Sequence, residues 1–183
     1  MRAPSLRTLI IGVAGMAVAF ACMGLGALVV IEGGLFDATA SHPHNPIVAV
    51  VTHTAMVRSV QMSAAPIHAP ARFTPAQIQA GLRDYDGACA GCHGAPGAAR
   101  AAFADGMTPS PPYLGDAPRH WRSRELFWIV GQGVKMTAMP AWTFSRTDQQ
   151  LWDIVAYLEA APYLSPRDYA RMRVSAAPAR PAA

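Results

Sequence analysis

Cys89-Ala90-Gly91-Cys92-His93 is the stretch on which the reading of this chain turns. Two thiols three positions apart, followed at once by an imidazole, form a C-x-x-C-H run that reads as a covalent attachment site for a c-type haem. The thiols add to the two vinyl groups of one porphyrin, and the next residue then lies under the ring, where its nitrogen can bind iron. A redox dithiol of the thioredoxin kind uses C-x-x-C too, but within a strand-helix alternation that the sequence lacks. Structural zinc needs two more ligands at finger-like spacing, and the third cysteine, Cys22, sits far upstream in an apolar stretch. A plain disulfide in an oxidising compartment is the remaining alternative.

Working outward, the composition bounds what surrounds the motif. At 183 residues the chain holds one ordinary domain with room for an extra segment. Hydrophobic residues make up 52% and charged residues only 14%, which points to a membrane-embedded part. The net charge is a mild +4, and the arginines are scattered rather than striped, so nucleic acid is not an expected partner.

The apolar excess concentrates between Leu9 and Ile31, a run without a charge that would extend about 34 Å as a helix, enough to cross a bilayer with some tilt. Arg2 and Arg7 precede it, and Glu32 and Asp37 follow it, so the positive-inside rule puts the N-terminus in the cytoplasm. Everything after about residue 32, the C-x-x-C-H motif included, then lies outside. A cleaved signal peptide is the competing reading, with Ala38-Thr39-Ala40 as its small-residue site, but the apolar run exceeds the usual length of such a core. Ala21-Cys22 lacks the small and Leu-like neighbours of a lipoprotein site, and Cys22 reads as a small membrane-facing hydrophobe.

Beyond the span, residues 33 to 46 carry Gly33, Gly34, Pro43 and Pro46 and read as a turn-rich exit. His42, His44 and His53 have no carboxylate or thiol at a metal-ligand spacing, so a polar loop near the headgroups accounts for them. Residues 47 to 62 are apolar but interrupted by His53 and Arg58, and are too short for a second span; an interfacial helix, or one packed on a partner, is expected there. The organisation expected is thus residues 1–32 as cytoplasmic N-terminus and anchor, 33–73 as linker, 74–173 as the haem domain and 174–183 as a disordered tail.

Within the domain, Thr74-Pro75-Ala76-Gln77 is a capping box with proline at the first helical position, predicting a helix to about Ala88 that delivers Cys89 at its end. Gly81, Tyr85 and Cys89 fall on one face of it, the glycine suited to a close helix crossing. The loop after His93 is rich in glycine, alanine and proline, with Phe103, Tyr113 and Leu114 as apolar anchors. An axial histidine usually donates its second ring N–H to a carbonyl or carboxylate, and Pro111 or Pro112 is the expected acceptor. A second helix is expected over Ser123 to Gln132, capped by Ser123, and a third from the Thr147-Asp148-Gln149-Gln150 capping box to about Ala160, with Leu151, Ile154, Val155 and Leu158 on one face. Ser165-Pro166 caps a last short turn.

The second iron ligand is sought in Gly133-Val134-Lys135-Met136-Thr137-Ala138-Met139-Pro140-Ala141-Trp142. A thioether is soft and neutral, so a methionine opposite the histidine favours ferrous iron and raises the potential, which suits electron transfer. Met139 is the better candidate because Pro140 stiffens the backbone after it; Met136 is the alternative and Met107 a distant third. Lys135 and Arg146 flank this loop and read as solvated surface cations, with docking toward an acidic partner as the alternative.

Taken together, residues from about Thr74 to Ala160 resemble class I monohaem c-type cytochromes, on the Gly81/Tyr85 helix, Cys89-x-x-Cys92-His93, the proline turn, Met139-Pro140 and the closing helix with Ile154 and Tyr157. The resemblance implies an all-α, cytochrome c-like domain in which the first and last helices cross at Gly81, Tyr85, Ile154 and Tyr157. It strengthens Met139 as ligand. Cys92 through Gly97 and Lys135 through Trp142 are further similar to small membrane-anchored bacterial cytochromes, whose glycine is replaced here by Ala138. The function so implied is a one-electron carrier, not an enzyme. One covalent haem c and its iron would be held by Cys89, Cys92, His93 and Met139, single-pass in the bacterial inner membrane with the haem domain in the periplasm. Its partners would be membrane or periplasmic redox proteins, with no small-molecule substrate. The alternatives are a haem c subunit of a membrane dehydrogenase or terminal oxidase, and a gas-sensing or peroxidase-like protein with an open sixth site.

Overall fold

The computed structural model describes residues 5–176, and among them every regular element is helical. The chain divides into two compact units, Met1–Thr39 and Ala40–Ala183.

The first unit is built on one helix, α1 (Leu6–Glu32), begun by Ser5, whose Oγ accepts from the Thr8 amide at 3.3 Å. It is long and apolar enough to cross a membrane, with a mean hydropathy of 2.3 over its most apolar window, and its leucine, isoleucine and valine side chains are exposed along its length. Exposed apolar surface on this scale is unfavourable in water and natural in lipid.

The second unit opens with α2 (Pro46–Ser63), capped by Asn45, whose Oδ1 accepts from the Ile47 amide at 2.9 Å. The apolar segment expected over 47–62 is therefore one helix. Its end is integrated: α2 packs against a later helix, α6 (Ser123–Gln132), and Val60 and Ala64 are fully buried. Its beginning is not, with Ile47, Val50 and Val51 exposed.

Then follow α3 (Pro75–Ala88), α4 (Ala90–His93), a 3-10 turn over Ala102–Gly106, α5 (Ala117–His120), α6 (Ser123–Gln132), α7 (Asp148–Ala160) and α8 (Pro166–Ala176). Both expected capping boxes form. Thr74 Oγ1 accepts from the Gln77 amide while Gln77 Oε1 accepts from the Thr74 amide, and Thr147 and Gln150 repeat the arrangement. Each box satisfies two amides that a helix start otherwise leaves without partners, which is why both helices start where the sequence says.

The core sits where α3 crosses α7. A Cβ at Gly81 would lie 1.7 Å from the Asp153 carbonyl oxygen and 2.9 Å from the Ile154 amide nitrogen, so the two backbones approach as only glycine permits. One turn on, the Tyr85 and Tyr157 rings meet at 4.6 Å between centroids, a tilted pair that fills the crossing. Leu151, Ile154, Val155 and Leu158 are all buried as expected, and so are Ala156 and Tyr157, which makes α7 the central rod of the domain. Phe127 of α6 stacks on Trp152 of α7 at 4.2 Å, closing the far side.

Three sequence expectations need correction. The final element is no short turn: α8 runs eleven residues, so residues 174–176, expected in the disordered tail, are helical, and the remainder of that tail lies outside the described residues. Ser165 does cap it, accepting from the Asp168 amide at 3.1 Å, but tertiary bonds extend it. Tyr169 Oη and Arg173 Nε both donate to the Asp86 carboxylate, at 2.7 and 2.9 Å, and Gln79 Nε2 donates to the Met172 carbonyl at 2.7 Å, strapping α8 to α3. Ser123 is the first residue of α6 rather than its cap; its hydroxyl donates to Glu159 at 2.8 Å, and Glu125 instead reaches back to the Arg122 amide. Of the loop anchors, Leu114 packs on the core, whereas Phe103 and Tyr113 are more than half exposed.

Candidate haem site

α3 ends at Cys89, and after that one residue the chain begins the single turn of α4, so Cys89, Cys92 and His93 are carried on a continuation of the helix that forms half of the core crossing. The Cys92 and His93 amides both bond to the Cys89 carbonyl, at 3.1 and 2.9 Å, which sets the three functional side chains on one tight turn. Gly94 ends it at φ +70, a left-handed conformation that a β-carbon disfavours. Tyr85, buried in the crossing, donates its hydroxyl to the Gly94 carbonyl at 2.6 Å, so the core fixes the motif directly.

Both motif cysteines are free and partly buried. Burial pushes the Cys89 thiol up to about 12, opposed by the charge of Arg146 and reinforced by Asp84 and Cys92. A redox dithiol needs the opposite, a depressed pKa that supplies thiolate near neutrality. The electrostatics thus disfavour thiol-disulfide exchange, as the absence of strands among the described residues does independently.

His93 Nδ1 lies 2.7 Å from the Pro112 carbonyl. A carbonyl only accepts, so Nδ1 carries the proton and Nε2 is the lone-pair nitrogen available to a metal. Burial lowers the pKa of the ring; the Pro112 bond opposes this, and the nearby charge of Arg100 adds to it, so the imidazole is held in the neutral form that ligation requires.

Across the loop between α6 and α7, Met139 and Met136 part company. Met139 packs partly buried against the core, while Met136 is 81% exposed with its backbone at φ +61. The loop is laced around Met139: its carbonyl accepts from the Val134 amide at 3.3 Å, and its amide donates to Thr137 Oγ1 at 3.1 Å, which in turn donates to the Val134 carbonyl at 2.7 Å. Gly133 starts the loop at φ +66, where a Cβ would lie 2.6 Å from the Pro140 carbonyl. Met107 is half-buried near the end of the 3-10 turn over Ala102–Gly106. Arg146 is not the solvated surface cation expected of it. It pairs with Asp84 at 3.1 Å and lies over the Trp142 ring at 5.3 Å, tying the end of this loop to α3; Lys135 is exposed.

Among the described residues no three histidine, cysteine or carboxylate side chains come together as a metal cage. His42, His44 and His53 accordingly form none. Two thiols and a neutral imidazole on one turn suit an iron that brings its own four equatorial nitrogens, which is what a porphyrin supplies. The residues present therefore fit haem: Cys89 and Cys92 would attach it and His93 would bind its iron, with Met139 the candidate for a second ligand.

A helical domain closed by a glycine-tyrosine crossing and carrying C-x-x-C-H at the end of its first helix is similar to a c-type cytochrome domain, a module for haem-based electron transfer. Residues 76–158 match the family model described as cytochrome c oxidase, cbb3-type, subunit III. No curated protein and no solved structure matches the chain significantly.

Proposed function

We propose that the chain is a membrane-anchored electron carrier. One haem is attached through Cys89 and Cys92 and ligated by His93 and Met139. α1 spans the bacterial inner membrane once and the haem domain stands in the periplasm. The observation that carries the reading is the His93–Pro112 bond, which fixes the tautomer and leaves Nε2 as the lone-pair nitrogen, as an iron ligand requires. Haem supplies the one-electron couple when bound. The protein's part is to hold the two axial donors in a rigid frame, and a filled sixth position leaves no place for oxygen or a substrate, so no turnover of its own is expected. Tethering would confine the haem near membrane redox partners and raise its effective concentration for them.

The test is the visible spectrum of the reduced protein with and without carbon monoxide, on membranes washed with salt. An unchanged low-spin spectrum that stays with the membrane supports the carrier; ready carbon monoxide binding at neutral pH points to an open-site sensor or peroxidase and sinks it. Met139→Leu is expected to open the sixth site, and Met136→Leu to leave it closed.

The second reading, a haem c subunit of a terminal oxidase or membrane dehydrogenase, is favoured by the description of the matching family itself. Native purification in mild detergent decides between them, since a subunit brings its complex with it and a carrier emerges alone.

A further inference from the structure

The proline turn that holds His93 cannot hold itself. Pro111 and Pro112 lack amide protons, so neither can be pinned through its own N–H, and their carbonyls accept from side chains arriving from elsewhere. One donor is His93; the other is Arg100, whose guanidinium donates to the Pro111 carbonyl at 2.7 Å. Arg100 Nε also donates to Asp105 Oδ1 at 2.6 Å.

Backbone geometry accounts for Arg100 being there. Gly94 turns the chain, the Ala95 and Ala98 amides and carbonyls exchange bonds of 2.9 Å, and the Ala101 amide returns to the Gly91 carbonyl at 2.9 Å. Arg100 is thereby set beside the motif turn. The following 3-10 turn, Ala102–Gly106, brings Asp105 back to meet it. The side chains of Arg100 and Asp105 are 32% and 63% exposed, and ion pairs so exposed add little to stability, so the directed bond to the Pro111 carbonyl is the contact with a specific consequence.

We propose that Arg100 is a positioning residue for His93: oriented by Asp105, its planar fork pins the Pro111–Pro112 turn and so keeps the Pro112 carbonyl on Nδ1. This rests on reading His93 as the iron ligand. Two effects on the haem follow, with opposite signs. The Nδ1–H bond makes Nε2 a stronger donor and favours ferric iron, whereas the positive charge of Arg100 favours ferrous iron. Lysine keeps the charge but cannot reproduce the fork; glutamine loses both.

The experiment uses the full-length holoprotein. Exchange of the His93 Nδ1 proton with solvent is followed by NMR in the diamagnetic reduced state, beside the reduction potential. Arg100→Lys is expected to speed that exchange about tenfold or more and to raise the potential. Arg100→Gln is expected to speed it equally while its potential falls below that of the lysine variant. Asp105→Asn, which leaves the guanidinium in place but loosened, is expected to speed exchange less and serves if an Arg100 variant fails to load haem. Exchange at the wild-type rate in these variants, with a lowered potential in the glutamine variant alone, would overturn the proposal, because Arg100 would then act only as a charge. If the wild-type protein itself lacks a low-spin histidine-ligated spectrum, it is the reading of the site that fails, and the two failures are separate.

Discussion

Two buried tyrosines in contact carry opposite consequences. Tyr85 donates to the Gly94 carbonyl, whereas the Tyr157 hydroxyl, equally buried, has no hydrogen-bond partner among the described residues. A lost buried hydrogen bond costs about 1–2 kcal/mol, while removing an unsatisfied buried hydroxyl costs nothing and relieves desolvation. Tyr85→Phe should therefore lower the melting temperature of the holoprotein by several degrees, and Tyr157→Phe should leave it unchanged or raise it. Equal losses in thermal melts would refute the assignment. Gly133 is the residue on which the methionine loop closes. Gly133→Ala sets a Cβ against the Pro140 carbonyl in a left-handed backbone and is expected to weaken Met139 ligation, read as loss of the methionine-to-iron charge-transfer band in the ferric protein, with a melting change much smaller than the spectral one. At this scale the turn that brings Cys89, Cys92 and His93 together was legible in sequence, because C-x-x-C-H is a local pattern, and so was a proline carbonyl as the acceptor for His93. Arg100 and the engaged state of Arg146 were not, since an arginine's partners depend on segments that only the folded chain brings together.

Among the elements, the α3–α7 crossing does most to fix the domain. Gly81→Ala would drive a methyl to 1.7 Å from a carbonyl oxygen that belongs to a helix backbone and cannot rotate away, so the helices must separate. Overpacking of this kind costs about 3 kcal/mol or more, and thermal or denaturant unfolding should register it as a melting temperature lower by roughly 6–12 °C. An unchanged melt would mean that the helices do not cross there. α8 is held differently, through one carboxylate that receives both Tyr169 and Arg173. Asp86→Asn keeps the size but weakens both bonds, for an expected loss of about 1–2 kcal/mol and faster amide exchange confined to α8. The starts of α3 and α7 were readable because capping boxes are local signals. α8 was read short because its sequence, Pro166-Arg167-Asp168-Tyr169-Ala170-Arg171-Met172-Arg173, has little apolar periodicity, and its length is set by what it touches on α3.

For the whole molecule, the division into two compact units falls at residue 39, between the apolar helix and everything that shapes the site. Every hydrogen bond described around Cys89, His93 and Met139 lies within residues 40–183, and so does the buried core. α2 belongs with that unit, as the full burial of Val60 and Ala64 attests. A chain begun at Ala40 behind an export signal should consequently fold, take up haem and melt within about 2 °C of the full-length protein, since surface changes remote from the core cost less than about 0.5 kcal/mol. If α1 is the anchor, that shortened chain should leave the membrane fraction entirely while keeping its spectrum. Should it remain in membranes that have been washed with salt, the exposed apolar start of α2 would be holding it there, and exchanging Ile47, Val50 and Val51 for serine should then release it. Release on loss of α1 alone assigns the tether to the span and leaves α2 as a packed part of the haem domain; retention that yields only to the α2 exchanges assigns a share of the anchoring to the interfacial helix.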